Sequence, residues 1–171
     1  MCDTGYSVKA LVADLRDLRA GRDEAALLRE APELAKRLVL MKHNWLRPYM
    51  CVPDPALGDK PTMFRLHEEP DHGLAVFVVA LPPGQETPPH DHGTWAVIAG
   101  LEGHETSHTW ERVEGTTNVR RIASQDIDPR TILSLPDGTI HSLHNDSGAV
   151  SVTLHLYGMD VDYTDHRNYS P

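Results

Sequence analysis

Short β-rich runs separated by turn residues fill the chain from about residue 48 onward, and they limit its possible folds more than any other feature. Five runs are rich in valine, isoleucine, leucine and aromatic residues: LAVFVVAL, TWAVIAGLEG, TNVRRIA, TILSL and VSVTLHLYG. Such side chains favour strands. No helical pattern lies between the runs, so the sequence predicts a mainly β fold, a sandwich or barrel of antiparallel strands.

The first fifty residues have a helical pattern instead. Five apolar residues follow the i, i+3, i+4, i+7 spacing of an amphipathic helix: Val8, Leu11, Val12, Leu15 and Leu18. Gly21 predicts the end of this helix, and Asp23 caps a second helix that Pro32 either breaks or restarts. The apolar stripes need a surface to cover. We therefore predict a helical layer, residues 1–47, packed on a β-barrel, residues 48–171, in one compact domain.

The net charge of −9 is unevenly distributed. Residues 1–50 carry nine Lys and Arg against seven Asp and Glu, whereas residues 51–171 carry seven against 18. Because so acidic a domain repels phosphate backbones, we expect no nucleic-acid partner. No apolar run approaches membrane-spanning length, and the opening MCDTGYSVKA lacks a signal-peptide core. We expect no membrane partner and a cytoplasmic location.

Three further expectations concern the cysteines, the number of domains and the oligomeric state. Cys2 and Cys51 are the only cysteines, and two cysteines make no disulfide framework, so we expect reduced thiols. A chain of 171 residues suffices for one well-filled domain with a small appendage. We expect a monomer or a small homo-oligomer.

Three histidines form the clearest candidate site. His90 and His92 alternate in GQETPPHDHGTW, and His141 follows about fifty residues later in PDGTIHSLHN. Side chains at i and i+2 of an extended segment point to the same side. A third imidazole from a distant strand completes a facial set around one metal ion. The alternative interpretation is a group of surface or structural histidines.

A second candidate group lies in VSVTLHLYG. Thr153, His155 and Tyr157 alternate there, so the three side chains face the same way. The intervening residues are apolar: Val152, Leu154 and Leu156. A hydroxyl, an imidazole and a phenol in a row on an inner face are typical of a hydrogen-bond relay. A structural core pair that bonds only backbone groups is the alternative.

These motifs resemble those of the cupins. GQETPPHDHGTW matches the first cupin motif, with Gly84 five residues before His90-x-His92, and PDGTIHSLHN matches most of the second. The resemblance implies a cupin double-stranded β-helix, the jelly-roll barrel, with a metal held by the three histidines.

The chain is similar in particular to the thiol dioxygenases: cysteine dioxygenase and bacterial relatives such as 3-mercaptopropionate dioxygenase. The likeness covers roughly residues 63–160 and rests on PPHDHGTW, PDGTIHSLHN and TLHLYG. It implies one non-haem Fe²⁺ per chain, bound by the three histidines. It also implies a catalytic row of Thr153, His155 and Tyr157 beside the iron, with threonine replacing the family's serine. The family's activity is insertion of both atoms of O₂ into a thiol to give a sulfinic acid.

Ala96 departs from both patterns. Most cupins have a glutamate here, and animal-type cysteine dioxygenases have a cysteine crosslinked to the tyrosine. Without the carboxylate, Fe²⁺ keeps its full +2 charge, which favours anionic donors from the substrate, a thiolate above all. Without the cysteine no crosslink forms at this position, which brings the likeness closer to the bacterial members.

The substrate-binding residues follow less directly. The resemblance implies a basic or amide side chain near the strand before LAVFVVAL, where Met63 or Phe64 stands with Arg65 adjacent. Arg167, in DHRNY, is a second candidate partner for a substrate carboxylate. Trp95 follows the histidine pair closely, and we expect it to wall the pocket.

The leading hypothesis is therefore an Fe²⁺-dependent thiol dioxygenase acting on a small thiol, of the cysteine or mercapto-carboxylate type, and O₂. A metal-dependent cupin with isomerase, lyase or hydrolase activity is the main alternative, because three histidines also suit Zn²⁺ or Mn²⁺. A non-catalytic sensor or binding cupin is a third, for which the chain offers no effector or DNA-binding segment. Metal identity and dependence on O₂ separate the first two.

Overall fold

Two antiparallel β-sheets make up most of the protein, whose computed structural model describes residues 5–58 and 60–171. The larger sheet has the strand order β1-β2-β8-β3-β6 and the smaller the order β5-β4-β7. The strands are β1 (Thr62–Glu68), β2 (Ala75–Leu81), β3 (Ala96–Glu102), β4 (Glu105–Arg112), β5 (Val119–Ile127), β6 (Ile132–Leu135), β7 (Ile140–His144) and β8 (Ser151–Tyr157). The predicted mainly β, antiparallel fold is confirmed, as two sheets that are not closed into one barrel within the described residues.

The central strands β2 and β8 are buried on both faces. They pair from Ala75 opposite Tyr157 to Leu81 opposite Ser151. Since alternate side chains point to opposite faces, one face of the sheet packs against the smaller sheet and the other against the helices. A strand covered on both sides reads as a nearly continuous apolar run, which is why LAVFVVAL was recognisable in the sequence.

Three strands lie outside the five β-rich runs of the sequence: β1, which the resemblance placed before LAVFVVAL, and also β4 and β7. Strand β4 has the sequence ETSHTWER and buries only Glu105 and Ser107, both polar. Its remaining side chains are at least partly exposed, so no apolar alternation marks it. Strand β7 has the sequence IHSLH, in which only Ile140 and Leu143 are apolar, so no apolar run marks it.

Helices α1 (Val8–Arg19), α2 (Glu24–Leu40) and α3 (Lys42–Trp45) precede the sheets. The predicted first helix is confirmed, and the Asp23 side chain caps α2 by accepting from the Ala26 N–H at 2.8 Å. The prediction that Pro32 breaks or restarts the helix is wrong, because α2 continues through it. Proline cannot donate to the Leu28 carbonyl. The Ser134 hydroxyl donates to that carbonyl instead, at 3.2 Å.

The helices cover the outer face of the larger sheet. One apolar cluster joins four residues of each long helix to the sheet: Leu11, Val12, Leu15, Leu18, Leu27, Ala31, Ala35 and Leu38. The sheet contributes alternate residues of β2, β3 and β8, including Val76, Val97 and Leu154. The apolar stripes read from the sequence are thus buried against the outside of the β structure.

The described residues bear on the expectations about a membrane and about the cysteines. None of the described helices is long and apolar enough to cross a membrane. Cys51 is a free thiol. Cys2 lies outside the described residues.

Candidate metal centre

The three histidines meet where the segment after β2 runs beside β7. Backbone hydrogen bonds join His90 and His141 in both directions, at 2.8 and 2.9 Å. Directly paired residues place their side chains next to each other on the same face. His92, two residues further along the extended segment, returns to that face, so all three imidazoles converge between the sheets.

The ring nitrogens of these histidines are close together. His92 Nε2 lies 3.2 Å from His90 Nε2 and 3.3 Å from His141 Nε2. His90 Nδ1 lies 2.9 Å from the Pro88 carbonyl. A carbonyl only accepts, so Nδ1 of His90 carries the proton and its Nε2 presents a lone pair. The single hydrogen of a neutral His92 ring serves at most one of the two short contacts.

Burial keeps these imidazoles neutral. Desolvation, followed by the neighbouring histidines, lowers the pKa of His92 to about 2 and that of His141 well below its usual range. The pKa of His90 is also lowered, mainly by desolvation. Neutral imidazole is the form that binds a metal.

This arrangement fits a metal ion. A divalent ion about 2.1 Å from each imidazole nitrogen separates its ligand atoms by roughly 3.0 to 3.4 Å, which agrees with the two Nε2–Nε2 distances from His92. His141 is fully buried, and its Nδ1 has no hydrogen-bond partner. With Nε2 on a metal, Nδ1 would carry the ring hydrogen and remain without an acceptor. Among the described residues, these three histidines form the one cluster of His, Cys, Asp or Glu with metal-ligand spacing.

Thr153, His155 and Tyr157 form a hydrogen-bonded row on the inner face of β8. Thr153 Oγ1 lies 2.9 Å from His155 Nε2, and His155 Nδ1 lies 2.7 Å from the Tyr157 hydroxyl. The Tyr157 ring contacts the His92 ring edge to face, with centroids 4.9 Å apart. All three side chains are buried. The row therefore reaches a candidate metal ligand, although its part in catalysis stays a prediction.

The row is electrically neutral. Burial lowers the pKa of His155 to about 3, so its ring carries one proton at neutral pH. Burial and the Asp160 carboxylate raise the pKa of Tyr157, which stays a phenol. If Thr153 donates to His155 and His155 donates to Tyr157, the phenol O–H is left to donate elsewhere. This direction makes Tyr157 a hydrogen-bond donor toward the site.

Ala96 lies directly opposite Tyr157, across the β3–β8 pair. A cysteine at this position would be a cross-strand neighbour of the tyrosine. The structure thus places the two residues together, as the resemblance implied, but the alanine side chain offers neither a ligand nor a crosslink.

The guanidinium of Arg65, a candidate substrate-binding residue, is already paired with carboxylates of the protein. Its guanidinium lies 3.2 Å from Asp160 and 2.9 Å from Asp162, and it also pairs with Glu68 at 2.5 Å. It stacks over Phe77, with 5.3 Å between the guanidinium carbon and the ring centroid. With three carboxylates around it, Arg65 has little capacity left to attract a fourth from a substrate.

The main chain of Arg167 lies beside the loop that carries two of the metal ligands. Its N–H donates to Asp91 Oδ1 at 2.8 Å, and its carbonyl accepts from the Asp91 N–H at 3.0 Å. Asp91 stands between His90 and His92, so Arg167 runs alongside the ligand loop. The side chain of Arg167 is exposed, and among the described residues no carboxylate lies within ion-pair distance of it.

Trp95 is not where the sequence interpretation put it. Its side chain is buried in the cluster between the sheet and the helices, together with Val97. The next residue, Ala96, belongs to the cluster between the sheets. Since neighbouring residues face opposite ways, Trp95 points away from the histidines and does not wall the pocket.

Two residues near the site were missed: Asp91 and Tyr169. Asp91 is only 7% exposed, and it accepts from the Tyr169 hydroxyl at 2.6 Å. The x of an H-x-H motif carried no separate signal. Tyr169 lies 78 residues away, in a segment without regular structure.

Glu105, in β4, is a buried acid that contacts Ser151 of β8. It is 1% exposed, its Oε2 accepts from the Ser151 hydroxyl at 2.5 Å, and its Oε1 has no hydrogen-bond partner. Desolvation raises its pKa to about 7, opposed by the Ser151 hydrogen bond and by His104. Burying Glu105 therefore destabilises the fold more when the carboxyl group is charged than when it is protonated.

The Glu105→Gln variant is expected to change how stability depends on pH. In the folded protein the pKa of Glu105 is raised from 4.5 to about 7. The stability of the native protein therefore decreases as the pH rises from 4.5 to about 7 and is constant at higher pH. At about 1.4 kcal/mol per pKa unit, the free energy of unfolding loses about 3 kcal/mol relative to the variant between pH 4.5 and 8. Urea unfolding at several pH values measures this. Glu114→Gln, at an exposed position, is the control, and parallel curves for native protein and Glu105→Gln would contradict the prediction.

Comparison with known proteins supports the fold. No family model matches the chain. Among solved structures, the protein is similar to oxalate oxidase in complex with the substrate analogue glycolate, with a TM-score of 0.54 and 14% identity over 68% of this chain. It spans 59% of that oxalate oxidase chain. An uncharacterized conserved protein with a double-stranded β-helix domain from Klebsiella pneumoniae subsp. pneumoniae matches over 72% of this chain and 93% of its own, with a TM-score of 0.51 and 14% identity.

The fold is that of the cupins. These neighbours have the double-stranded β-helix that the resemblance implied, and the histidines lie between its two sheets. At 14% identity the likeness concerns the fold alone. One fold hosts many activities, so the function has to be argued from the site.

Proposed function

We propose that this cupin is a non-haem Fe²⁺-dependent thiol dioxygenase that converts a small thiol to its sulfinic acid with O₂. The observation that carries the proposal is the combination of two groups: three convergent neutral histidines without a carboxylate, and a neutral Thr-His-Tyr row that reaches His92. The activity of the oxalate oxidase neighbour is not carried over, because that likeness concerns the fold alone.

The reaction needs no other oxidant or reductant. A thiol and one O₂ give a sulfinic acid: two S–O bonds form, the O–O bond breaks, sulfur loses four electrons and O₂ gains them. When bound by His90, His92 and His141, Fe²⁺ supplies the place where thiolate and O₂ meet. The neutral ligand set leaves the ion's charge uncompensated, which favours an anionic sulfur donor.

The protein's own groups orient the reactants and exclude water. Tyr157 donates a hydrogen bond to oxygen or to the substrate's polar end in the tautomer in which Thr153 donates to His155 and His155 donates to the phenol oxygen. Phe77 packs edge to face on Tyr157, with centroids 5.9 Å apart, and keeps this side of the site apolar. Arg167 attracts a substrate carboxylate at the edge of the ligand loop.

Oxygen consumption by anaerobically Fe²⁺-loaded protein tests the proposal. Cysteine, 3-mercaptopropionate, cysteamine and mercaptosuccinate are offered in parallel, and sulfinate is identified by mass spectrometry. Uptake with one of these thiols is expected. No uptake with any of them at verified iron occupancy, together with turnover of another substrate class under anaerobic conditions, would favour the non-redox metal cupin.

Tyr157→Phe should slow turnover without releasing the metal. Loss of one positioned donor typically costs about 10²-fold in kcat. The phenyl ring keeps the contact with His92, so iron content stays at the native level. Thr153→Val, at the far end of the row, should have a smaller effect, because His155 still bonds Tyr157. Equal kcat values for native protein and Tyr157→Phe would remove the tyrosine from the mechanism.

Arg167→Gln should weaken binding of thiols that carry a carboxylate. Loss of a charged hydrogen bond corresponds to about a 10- to 100-fold rise in KM, with kcat nearly unchanged. Cysteamine, which has no carboxylate, should bind as before. Arg65→Gln is the matched comparison, because its guanidinium is already paired with three carboxylates, and it should leave KM unaltered. The reverse ranking would make Arg65 the substrate-binding residue.

A further inference from the structure

A segment near the end of the sequence, residues 164–170, lies against the loop that carries His90 and His92. The Tyr169 N–H donates to the Pro89 carbonyl at 2.8 Å, and Arg167 bonds the Asp91 backbone. A Cβ built on Gly93 would lie 3.1 Å from Thr164. Segment 164–170 therefore follows the ligand loop from just before His90 to just after His92.

Asp91 is the main side-chain link between the loop and segment 164–170. Its carboxylate points away from the metal side, since it alternates with His90 and His92. Both oxygens are used: Oδ1 accepts from the Arg167 N–H at 2.8 Å and Oδ2 from the Tyr169 hydroxyl at 2.6 Å. Asp91 is 7% exposed, so its carboxylate is largely shielded from water.

Tyr169 extends this link to the smaller sheet. Arg112, at the end of β4, donates to the Tyr169 hydroxyl at 2.6 Å and lies 5.0 Å from the ring centroid. The hydroxyl thus accepts from a guanidinium and donates to a carboxylate. Hydrogen bonds in which one partner is charged are stronger than those between neutral groups, and both bonds of this hydroxyl are of the charged kind. The chain Arg112–Tyr169–Asp91 therefore fixes segment 164–170 to both the sheet and the loop.

The ligand loop depends on this attachment. His90 is held by its backbone pairing with His141, but no backbone hydrogen bond of His92 occurs among the described turn and loop contacts. The placement of His92 follows from its neighbours Asp91 and Gly93, both of which contact segment 164–170. We propose that Asp91 is a positioning residue, which docks segment 164–170 onto the ligand loop and so holds His92 in metal-binding geometry.

The same attachment brings Arg167 to the edge of the site. Both backbone groups of Arg167 bond Asp91: its N–H donates to the carboxylate and its carbonyl accepts from the Asp91 N–H. This second consequence rests on the proposed function, because it matters only if a carboxylate-bearing substrate binds there. The metal-binding consequence does not.

Titration of the metal-free full chain with Co²⁺, followed by the visible absorption of the bound ion, tests the positioning role. Asp91→Asn should weaken Co²⁺ binding about tenfold, as changes behind metal ligands commonly do. Tyr169→Phe should weaken it by a smaller factor, about threefold. The double variant should bind about as weakly as Asp91→Asn alone, because the two residues act through one contact.

Tyr163→Phe is the matched control. Tyr163 lies one residue before segment 164–170, is 56% exposed and stacks on His72 with 3.5 Å between ring centroids. Its variant should bind Co²⁺ as the native protein does. Circular dichroism and melting temperature establish that each variant is folded.

The possible results separate this inference from the proposed function. Folded Asp91→Asn and Tyr169→Phe variants with native Co²⁺ affinity and native absorption would overturn the positioning role. Weaker binding in both variants supports it, even if no thiol is oxidised. A native protein that binds neither Co²⁺ nor Fe²⁺ would overturn both the metal site and the dioxygenase proposal.

Discussion

Replacing His141 by alanine is expected to abolish iron binding and thiol oxidation together. The side chain is fully buried and meets the other two ligands between the sheets, so no other donor can take its place. Mutation of residues that hydrogen-bond to metal ligands lowers metal affinity or activity roughly 10- to 100-fold. Loss of a ligand itself should have a larger effect, and we expect affinity and activity to fall about a thousandfold or more. Metal analysis after dialysis and the rate of oxygen uptake measure the two losses.

His144→Ala is the matched control for this experiment. It lies three residues further along the same strand, is half-buried and pairs with Glu86 at 3.0 Å and Asp146 at 3.4 Å. Its loss should leave iron content and turnover within about twofold of native, since its contacts with Glu86 and Asp146 lie at the surface and contribute little. Native iron content in a folded His141→Ala protein would contradict the assigned ligand set.

Gly100→Ala is expected to prevent stable folding. A Cβ at this position would lie 1.9 Å from the Asp128 carbonyl oxygen and 2.5 Å from its carbon. Both are backbone atoms, which cannot rotate aside as a side chain does. The neighbouring hydrogen bond from the Gly100 N–H to the Thr131 carbonyl holds the two segments together. Overpacking against a fixed backbone costs about 3 kcal/mol or more, a large part of a domain's stability. Soluble yield and urea unfolding measure the loss.

Gly148→Ala is the corresponding control, because no atom lies within 4 Å of the Cβ it would add. Its free energy of unfolding should stay within about 0.5 kcal/mol of native, as for most surface substitutions. Equal stability of the Gly100→Ala and Gly148→Ala proteins would show that the approach of β3 to Asp128 is looser than the structure has it.

The fold was predictable where burial leaves a local pattern. LAVFVVAL and VSVTLHLYG are covered on both faces and stand out as apolar runs, and the stripe from Val8 to Leu18 marks α1. Strand β4 was missed because the two residues it buries, Glu105 and Ser107, are polar. The continuity of α2 was missed because Ser134, 106 residues away, bonds the carbonyl that Pro32 leaves free.

The candidate site divides in the same way. The histidine pair and the row on β8 were visible because two-residue periodicity alone puts their side chains on one face. The surroundings of Arg65 were not, because two of its carboxylate partners lie 95 or more residues further along the chain. Trp95 was misplaced because closeness in sequence to His92 was taken for closeness in space, although alternation turns it to the helix side. The link from Asp91 to Tyr169 depends wholly on the tertiary fold.

The most direct test of the central claim is isotope analysis of the product formed under oxygen-18-labelled O₂. Fe²⁺-loaded protein is incubated with the thiol that supports oxygen uptake, and the mass of the sulfinate is determined by mass spectrometry. A dioxygenase places two labelled atoms in each sulfinate, and His141→Ala forms none. Product with one labelled atom or none, at verified iron occupancy, would contradict the claim that this protein transfers both atoms of O₂ to sulfur.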